Sequence, residues 1–254
     1  MEIAMKTHIG CVRQINEDYF AYVIDLQGRV LAIVADGMGG HQAGDVASKM
    51  AVERILAEFR DTQDELSKED EREKLMNAIL SANQEVFRYA EDHPECNGMG
   101  TTVVAAIVGE DSGSIAHIGD SRMYLFVNGV LTQRTEDHSL VQELLRNGQI
   151  TEQEAIHHPQ RNVLMRALGT EESVLIELGE FAWSQGDVVL LCSDGLSNKV
   201  PIAVMEKWLK EPLSLQEQVD ALIQHALDAG GEDNITCVAV RNIPMPSDVS
   251  RKEG

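Results

Sequence analysis

Four aspartates stand at the margins of apolar, strand-like runs, and that placement limits how the chain can fold. They are Asp36 in Val34-Ala35-Asp36-Gly37-Met38-Gly39-Gly40, Asp120 in His117-Ile118-Gly119-Asp120-Ser121-Arg122, Asp194 in Cys192-Ser193-Asp194-Gly195, and Asp233 in Gly230-Gly231-Glu232-Asp233-Asn234. Asp36, Asp120 and Asp194 follow strand ends, whereas Asp233, and Asp18 with it, precede strand starts. In antiparallel sheets the end of one strand lies beside the start of the next, so all five can gather along one edge. A single Asp-Gly is better read as a turn. Five acids on one edge repel one another unless cations bridge them, and hard divalent ions take carboxylate oxygens.

Tyr19 to Ile24 and Val30 to Ala35 read as a hairpin joined by the Asp25-Leu26-Gln27-Gly28-Arg29 turn. A hairpin symmetric about Gln27 pairs residue 24 with 30 and sets Asp18 against Asp36. Directly opposed residues have Cβ atoms roughly 5 Å apart, and like charges there are destabilising. Gly44 to Phe59 and Leu75 to Ala90 carry helical periodicity, with Arg60 to Lys74 expected as a charged connection or exposed helix end without core residues. Thr101 to Val108, Ser114 to Ile118 and Met123 to Val127 read as strands, and Asn128-Gly129 is a two-residue hairpin signal. Asp137 to Gly169 breaks the strand pattern with helical pieces at Leu140 to Asn147 and Glu152 to Ile156, and reads as a mobile flap. A buried strand at Asp187 to Cys192, helices at Pro201 to Leu209 and Leu215 to Ala229, a last strand at Ile235 to Arg241 and a polar tail over 244–254 complete the chain. Strands and helices come in blocks rather than in alternation. The order implies an α+β fold of largely antiparallel sheets with helices outside, in a single domain over 1–243.

The formal charge of −21 argues against nucleic acid or an anionic membrane as the main partner. A phosphate-bearing substrate would need bound metal to reverse the local field. Cys11, Cys96, Cys192 and Cys237 are scattered without a C-x-x-C pair, which suits reduced thiols. No apolar stretch follows Met1-Glu2-Ile3-Ala4-Met5-Lys6 as a signal peptide requires, and runs such as Val103 to Val108 are far too short to span a bilayer. A soluble, cytoplasmic protein without membrane insertion is expected.

Asp36, Asp120, Asp194 and Asp233 supply four negative charges, which balance two divalent ions. The glycines after Asp36 and Asp194 would let backbone approach such ions, with the Gly37 carbonyl as a candidate ligand. Two ions roughly 4 Å apart lower the pKa of a shared water and clamp a phosphate for in-line attack. Arg13, five residues before Asp18, is a candidate for gripping phosphate oxygens, and equally a surface arginine. His41 is placed to protonate a leaving alkoxide, although a histidine at a helix start more often has no such role. His117 reads as structural, Arg122 as a partner for a clustered acid or a loop holder, Asn234 and Ser193 as loop hydrogen-bonders, and Met38 as filler. The chain has no dinucleotide fingerprint, P-loop, H-E-x-x-H, EF-hand loop or G-x-S-x-G elbow.

Seven motifs, in order, resemble those of the metal-dependent protein phosphatases of type 2C in their compact bacterial form. They are Arg13-Gln14-Ile15-Asn16-Glu17-Asp18, Asp36-Gly37-Met38-Gly39-Gly40, Gly100-Thr101-Thr102, Gly119-Asp120-Ser121-Arg122, Asp137-His138-Ser139, Ser193-Asp194-Gly195 and Gly231-Glu232-Asp233-Asn234. The resemblance implies a four-layer α-β-β-α sandwich with a helical flap insert at about 137–169. It implies hydrolysis of phosphoserine and phosphothreonine in proteins with Mn2+ or Mg2+, at two core ions and a weaker third. By this resemblance Asp36 bridges both core ions, the Gly37 carbonyl binds the first, and Asp194 and Asp233 hold the second. Asp120, with Asp194, holds the third, Glu17 and Asp18 act mainly through metal-bound waters, and Arg13 binds substrate phosphate. A metal-bridging hydroxide attacks phosphorus directly. Animal members commonly carry a histidine general acid where Met38 stands, which leaves His41 or a metal-bound water as proton donor. The implied partners are phosphorylated proteins, among them a bacterial Ser/Thr kinase that the enzyme opposes, and a monomer is expected. The contrasting readings are a catalytically inactive domain that senses metal or scaffolds a complex, and a metallohydrolase acting on small phosphate esters. Retention of every expected metal aspartate argues against the inactive reading.

Overall fold

The computed structural model describes residues 1–24, 28–39, 43–60 and 67–243. Alternation along its strands sets the architecture. In β3 (Val30–Met38), Val30, Ala32 and Val34 join one apolar cluster while Leu31, Ile33 and Ala35 join another, so the strand is buried on both faces. Its neighbours are β2 (Asp18–Ile24), the two-residue β4 (Gly100–Thr101) and β5 (Val103–Val108), followed by β6 (Ser112–Ile118) and β9 (Glu177–Ala182). A second sheet runs in the order β1-β11-β10-β7-β8, from β1 (Glu2–His8), β11 (Ile235–Arg241), β10 (Val188–Cys192), β7 (Arg122–Val127) and β8 (Val130–Gln133). Every pairing is antiparallel.

Val34, Val104 and Ala106 from one sheet meet Met123, Leu191 and Val238 from the other in the central core. Helices α1 (Ala43–Arg60) and α2 (Lys68–Asp92) cover the outer face of the first sheet through Ile55, Leu75 and Ile79. On the second sheet, α6 (Ile202–Lys210) and α7 (Leu215–Asp228) pack Met205, Leu209, Val219 and Leu222 against Leu190 and Ala239. The result is the expected four-layer α-β-β-α sandwich. Three short helices lie at one end: α3 (Leu140–Arg146), α4 (Glu152–Ile156) and α5 (Asp194–Ser197). No helix among the described residues is long and apolar enough to cross a membrane.

The hairpin register is the expected one, with Ile24 against Val30 and Asp18 against Asp36; its turn residues 25–27 lie outside the described residues. At the Asn128-Gly129 turn both residues have positive φ, 51° and 80°, as a two-residue hairpin loop requires. Other expectations need correction. Helix α2 begins at Lys68, not Leu75, because Ser67 and Asp70 form a capping box. Its first turns do reach the core region, since Glu71 is buried and paired with Arg29. The reading of Arg60 to Lys74 as a connection therefore fails from Lys68 onward, and residues 61–66 lie outside the described residues, as does the 244–254 tail. Strands β1 and β9 carried no sequence signal strong enough to mark them. Both are edge strands of mostly half-buried residues, where alternation is blurred by polar side chains facing solvent.

Candidate metal centre

The parity that buries β3 also aims its last residues. Val30, Ala32 and Val34 face the other sheet, and Asp36 is the next residue of that series. Asp18 lies directly across from it on β2 and is buried, at 6% exposure. From the opposite sheet, Asp194 follows β10 as the first residue of α5, and Asp233 lies two residues before β11. Asp120 is in the turn between β6 and β7. Five carboxylates from both sheets thus meet at one end of the slot between them, as the strand-margin placement predicts.

Burial and mutual repulsion dominate their electrostatics. Burial, then the charges of Asp18, Asp194, Asp120 and Asp233, holds Asp36 well above the usual carboxylate range. Asp18 is pushed up to about 7 by burial, against hydrogen bonds from Ser193 and Thr236 and with the charges of Asp194 and Asp233 adding to the rise. Asp120 also rises to about 7, through burial and then Asp194 and Asp137, with Arg122 opposing. Asp194 is raised by burial and by Asp233. Asp18 Oδ1 and Asp194 Oδ1 are buried with no hydrogen-bond donor. Orphaned carboxylate oxygens facing further carboxylates are costly in a protein interior. They fit the all-oxygen donor set that Mg2+ and Mn2+ prefer.

The surrounding bonds hold these acids in place. Ser193 Oγ donates to Asp18 Oδ2 at 2.7 Å and accepts from the Thr236 amide at 3.0 Å, tying the two sheets together beneath the acids. The Asp36 amide donates to Thr102 Oγ1 at 3.0 Å, and its carbonyl accepts from the Thr102 amide and the Thr101 hydroxyl, both at 2.9 Å. Asn198 Nδ2 donates to Asp194 Oδ2 at 3.0 Å. Asn234 is a loop hydrogen-bonder as read. Its amide nitrogen donates to the carbonyls of Ile9 and Ile15, at 2.9 and 3.0 Å, and its oxygen accepts from the Glu17 amide at 2.8 Å.

Gly37 and Gly195 have a requirement the sequence reading did not find. A Cβ on Gly37 would lie 2.0 Å from the Gly44 carbonyl oxygen, and one on Gly195 would lie 1.9 Å from that of Asn234. Both glycines are where two backbones touch, whatever else approaches them.

Arg13 grips Asp233 with two nitrogens, Nε to Oδ1 and NH2 to Oδ2, each at 2.9 Å, and lies 3.5 Å from Glu17 Oε2. Its side chain remains 46% exposed. Glu17 accepts from the Gly44 amide at the start of α1, and burial, ahead of the opposing Arg13 charge, raises its carboxyl pKa. Arg122 does not pair within the cluster; it binds Asp137 in a two-pronged contact, Nε to Oδ1 at 2.9 Å and NH2 to Oδ2 at 2.6 Å. His117 is buried, with Nε2 on the Glu136 carbonyl at 2.8 Å. Met38 ends β3 against Gly100. His41 lies outside the described residues.

A cleft of about 600 Å³ opens beside the acids, lined by Asp120, Asp194 and Asp233 together with Leu145, Ile156 and Arg161. Helices α3 and α4 therefore border the approach.

The family model for protein phosphatase 2C matches residues 8–233. A serine/threonine phosphatase stp of Listeria innocua is 46% identical over 244 residues, covering 96% of this chain and 97% of that protein. Among solved structures, the serine/threonine phosphatase of S. agalactiae superposes with a TM-score of 0.89 at 35% identity, covering 94% of this chain and 98% of that one. The catalytic domain of the phosphatase PstP, in complex with 2 manganese ions, gives a TM-score of 0.83 at 37% identity, covering 96% and 98%.

Proposed function

Because the chain belongs to the protein phosphatase 2C family, whose general function is metal-dependent dephosphorylation of serine and threonine in proteins, we propose that the acid-lined slot holds the ions this activity needs. The protein is a serine/threonine phosphatase; the assignment of its residues is our reading. Asp36 and the Gly37 carbonyl, together with Asp194 and Asp233, would hold two core cations, and Asp120 with Asp194 would hold a weaker third. Glu17 and Asp18 would act mainly through waters between them and the ions rather than as direct ligands. When bound, Mn2+ or Mg2+ supplies charge for phosphoryl oxygens and lowers the pKa of water.

The observation that carries this reading is the pair of orphaned, buried oxygens on Asp18 and Asp194, which face carboxylates from both sheets. Arg13 supports the substrate side. Its guanidinium already presents two nitrogens to a carboxylate at the rim of the cluster, and a phosphate monoester offers the same two-oxygen geometry. Residues 137–162 of the flap segment contribute to the lining of the cleft, where the flap would cover bound substrate. Phosphorylated proteins, a Ser/Thr kinase among them, are the proposed partners, with a monomeric enzyme acting in the cytoplasm. His41 or a water held by the ions is the proposed proton donor.

Hydrolysis of a phosphothreonine peptide with manganese, with chelator, and by the Asp36→Asn variant tests the assignment. Activity is expected with manganese only, with a loss of at least ~100-fold on substitution, the scale of a principal transition-state stabiliser. Turnover in chelator, or an Asp36→Asn enzyme with full activity, would sink it.

A further inference from the structure

The Asp120 turn is held at both ends by two consecutive residues, Asp137 and His138. On the near side, the His138 amide donates to the Gly119 carbonyl at 3.0 Å, and the Gly119 amide donates back to His138 Nδ1 at 3.1 Å. On the far side, Asp137 takes the two-pronged contact from Arg122. Only Asp120 and Ser121 lie between these anchors, and the Ser121 hydroxyl is bonded to Thr102 Oγ1 at 2.7 Å. Gly119 has a φ of 102°, and a Cβ there would meet Thr102 Cγ2 at 2.5 Å, so the peptide is fixed on its other side too.

His138 is 7% exposed and stacks on His117, with ring centroids 4.8 Å apart. Both rings turn toward Glu177, whose carboxylate oxygens lie 3.1 Å from His138 Nε2 and 3.9 Å from His117 Nε2. Two histidines and a glutamate are a donor set that zinc would accept. Their hydrogen bonds argue against it. A carbonyl accepts only from a protonated nitrogen, so His117 Nε2, on the Glu136 carbonyl, carries a hydrogen. His138 Nδ1 accepts from Gly119, so the neutral ring carries its hydrogen on Nε2. Neither Nε2 has a free lone pair for a metal. Burial, then the neighbouring His117, lowers the His138 pKa, which agrees with a neutral ring.

We propose that His138 is a positioning residue for the phosphatase reaction. As the Nε2–H tautomer it holds the Gly119 peptide through Nδ1, and so fixes Asp120 to receive the weaker third cation. The inference rests on the reading of Asp120 as a ligand of that cation. Asparagine and glutamine separate the two ring nitrogens, because Asn Oδ1 reaches the Nδ1 position whereas Gln reaches only that of Nε2.

The test uses the full-length chain. Long-range 1H–15N spectra of the wild-type protein in chelator should show His138 with hydrogen on Nε2, and a Gly119 amide protected from exchange. Calorimetric Mn2+ titrations should then compare His138→Asn, His138→Gln and Asp120→Asn, alongside thermal melts. His138→Asn is expected to keep the weakest site within about threefold. His138→Gln should weaken it roughly tenfold, about 1.4 kcal/mol and the scale of one net hydrogen bond, with the tighter sites unchanged. Asp120→Asn should remove it. An Nδ1–H tautomer, equal binding by the Asn and Gln variants, or weakening that merely follows a lowered melting temperature overturns the proposal. An intact weak site in Asp120→Asn overturns instead the reading of Asp120. Should His138→Gln fail to fold, the wild-type tautomer and the His138→Asn titration still decide the matter.

Discussion

Asp18 and Asp36 face each other across a hairpin with their carboxylates in one slot, an arrangement that repels unless something positive is supplied. This pairing was readable from the sequence because the two flanking runs are equidistant from Gln27, and strand periodicity then fixes the register. The role of Gly195 was not readable, since nothing in Asp194-Gly195 reveals the Asn234 carbonyl that would lie 1.9 Å from a new Cβ. Gly195→Ala should therefore lower stability by about 2–4 kcal/mol in urea titrations, as backbone would have to move on one side or the other. A variant with wild-type stability would mean that this contact relaxes without cost. Likewise Asn198, which donates to Asp194, carries no motif that marks it, and the Gly100-Thr101-Thr102 motif does not reveal that Thr102 Oγ1 accepts from the Asp36 amide, because hydrogen bonds between distant segments leave no local spacing.

At the level of elements, apolar strands and long periodic helices were legible, and the polar edges were not. Strand β9 contributes Phe181 to the central core, but Glu177 and Glu180 interrupt its alternation, so no strand signal stands out there. The early start of α2 was hidden by its charge run, since Ser67 and Asp70 act through a cap rather than through apolar spacing. Asn83 on α2 shows what such an element can organise at a distance. It is 1% exposed, accepts from the Gly169 amide at 2.8 Å, and donates to the carbonyls of Glu171 and Glu172 at 3.0 and 3.1 Å. Asn83→Ala strands those groups and should cost about 1–3 kcal/mol in chemical unfolding. Protease cleavage between residues 165 and 175 should speed up in parallel; an unchanged cleavage pattern would show that other contacts hold this segment.

For the whole molecule, the site makes stability depend on pH in opposite senses with and without ions. Asp18 and Asp120 titrate near 7 in the folded protein, against an ordinary value near 4 in an unfolded chain. Between those limits the folded protein holds protons that the unfolded chain has released. In chelator, stability should accordingly fall as pH rises from about 4 to 7, so the urea midpoint is higher at pH 5 than at pH 7.5. Saturating manganese should reverse the order, because cations bind the ionised carboxylates. The net charge of −21 pushes in the same direction as the acids in chelator, so Asp18→Asn with Asp120→Asn is the control and should flatten the slope. A chelated wild-type protein whose midpoint ignores pH would refute this account.

The acids come from two sheets, and the distance between those sheets is set by Val34, Ala106, Leu191 and Val238 in the close-packed layer behind them. Packed sheets stand about 10 Å apart, and neither can shift without disturbing that layer. The jaws of the site thus have a fixed gauge. Oxygens sit about 2.0–2.1 Å from Mg2+ but 2.3–2.6 Å from Ca2+, so the spacing of the two sheets would be one of the quantities, with ligand number and flexibility, that separate the two ions. On this view aliphatic residues that touch no ion would share in ion choice, and altering the methylene count of the core would be expected to shift it.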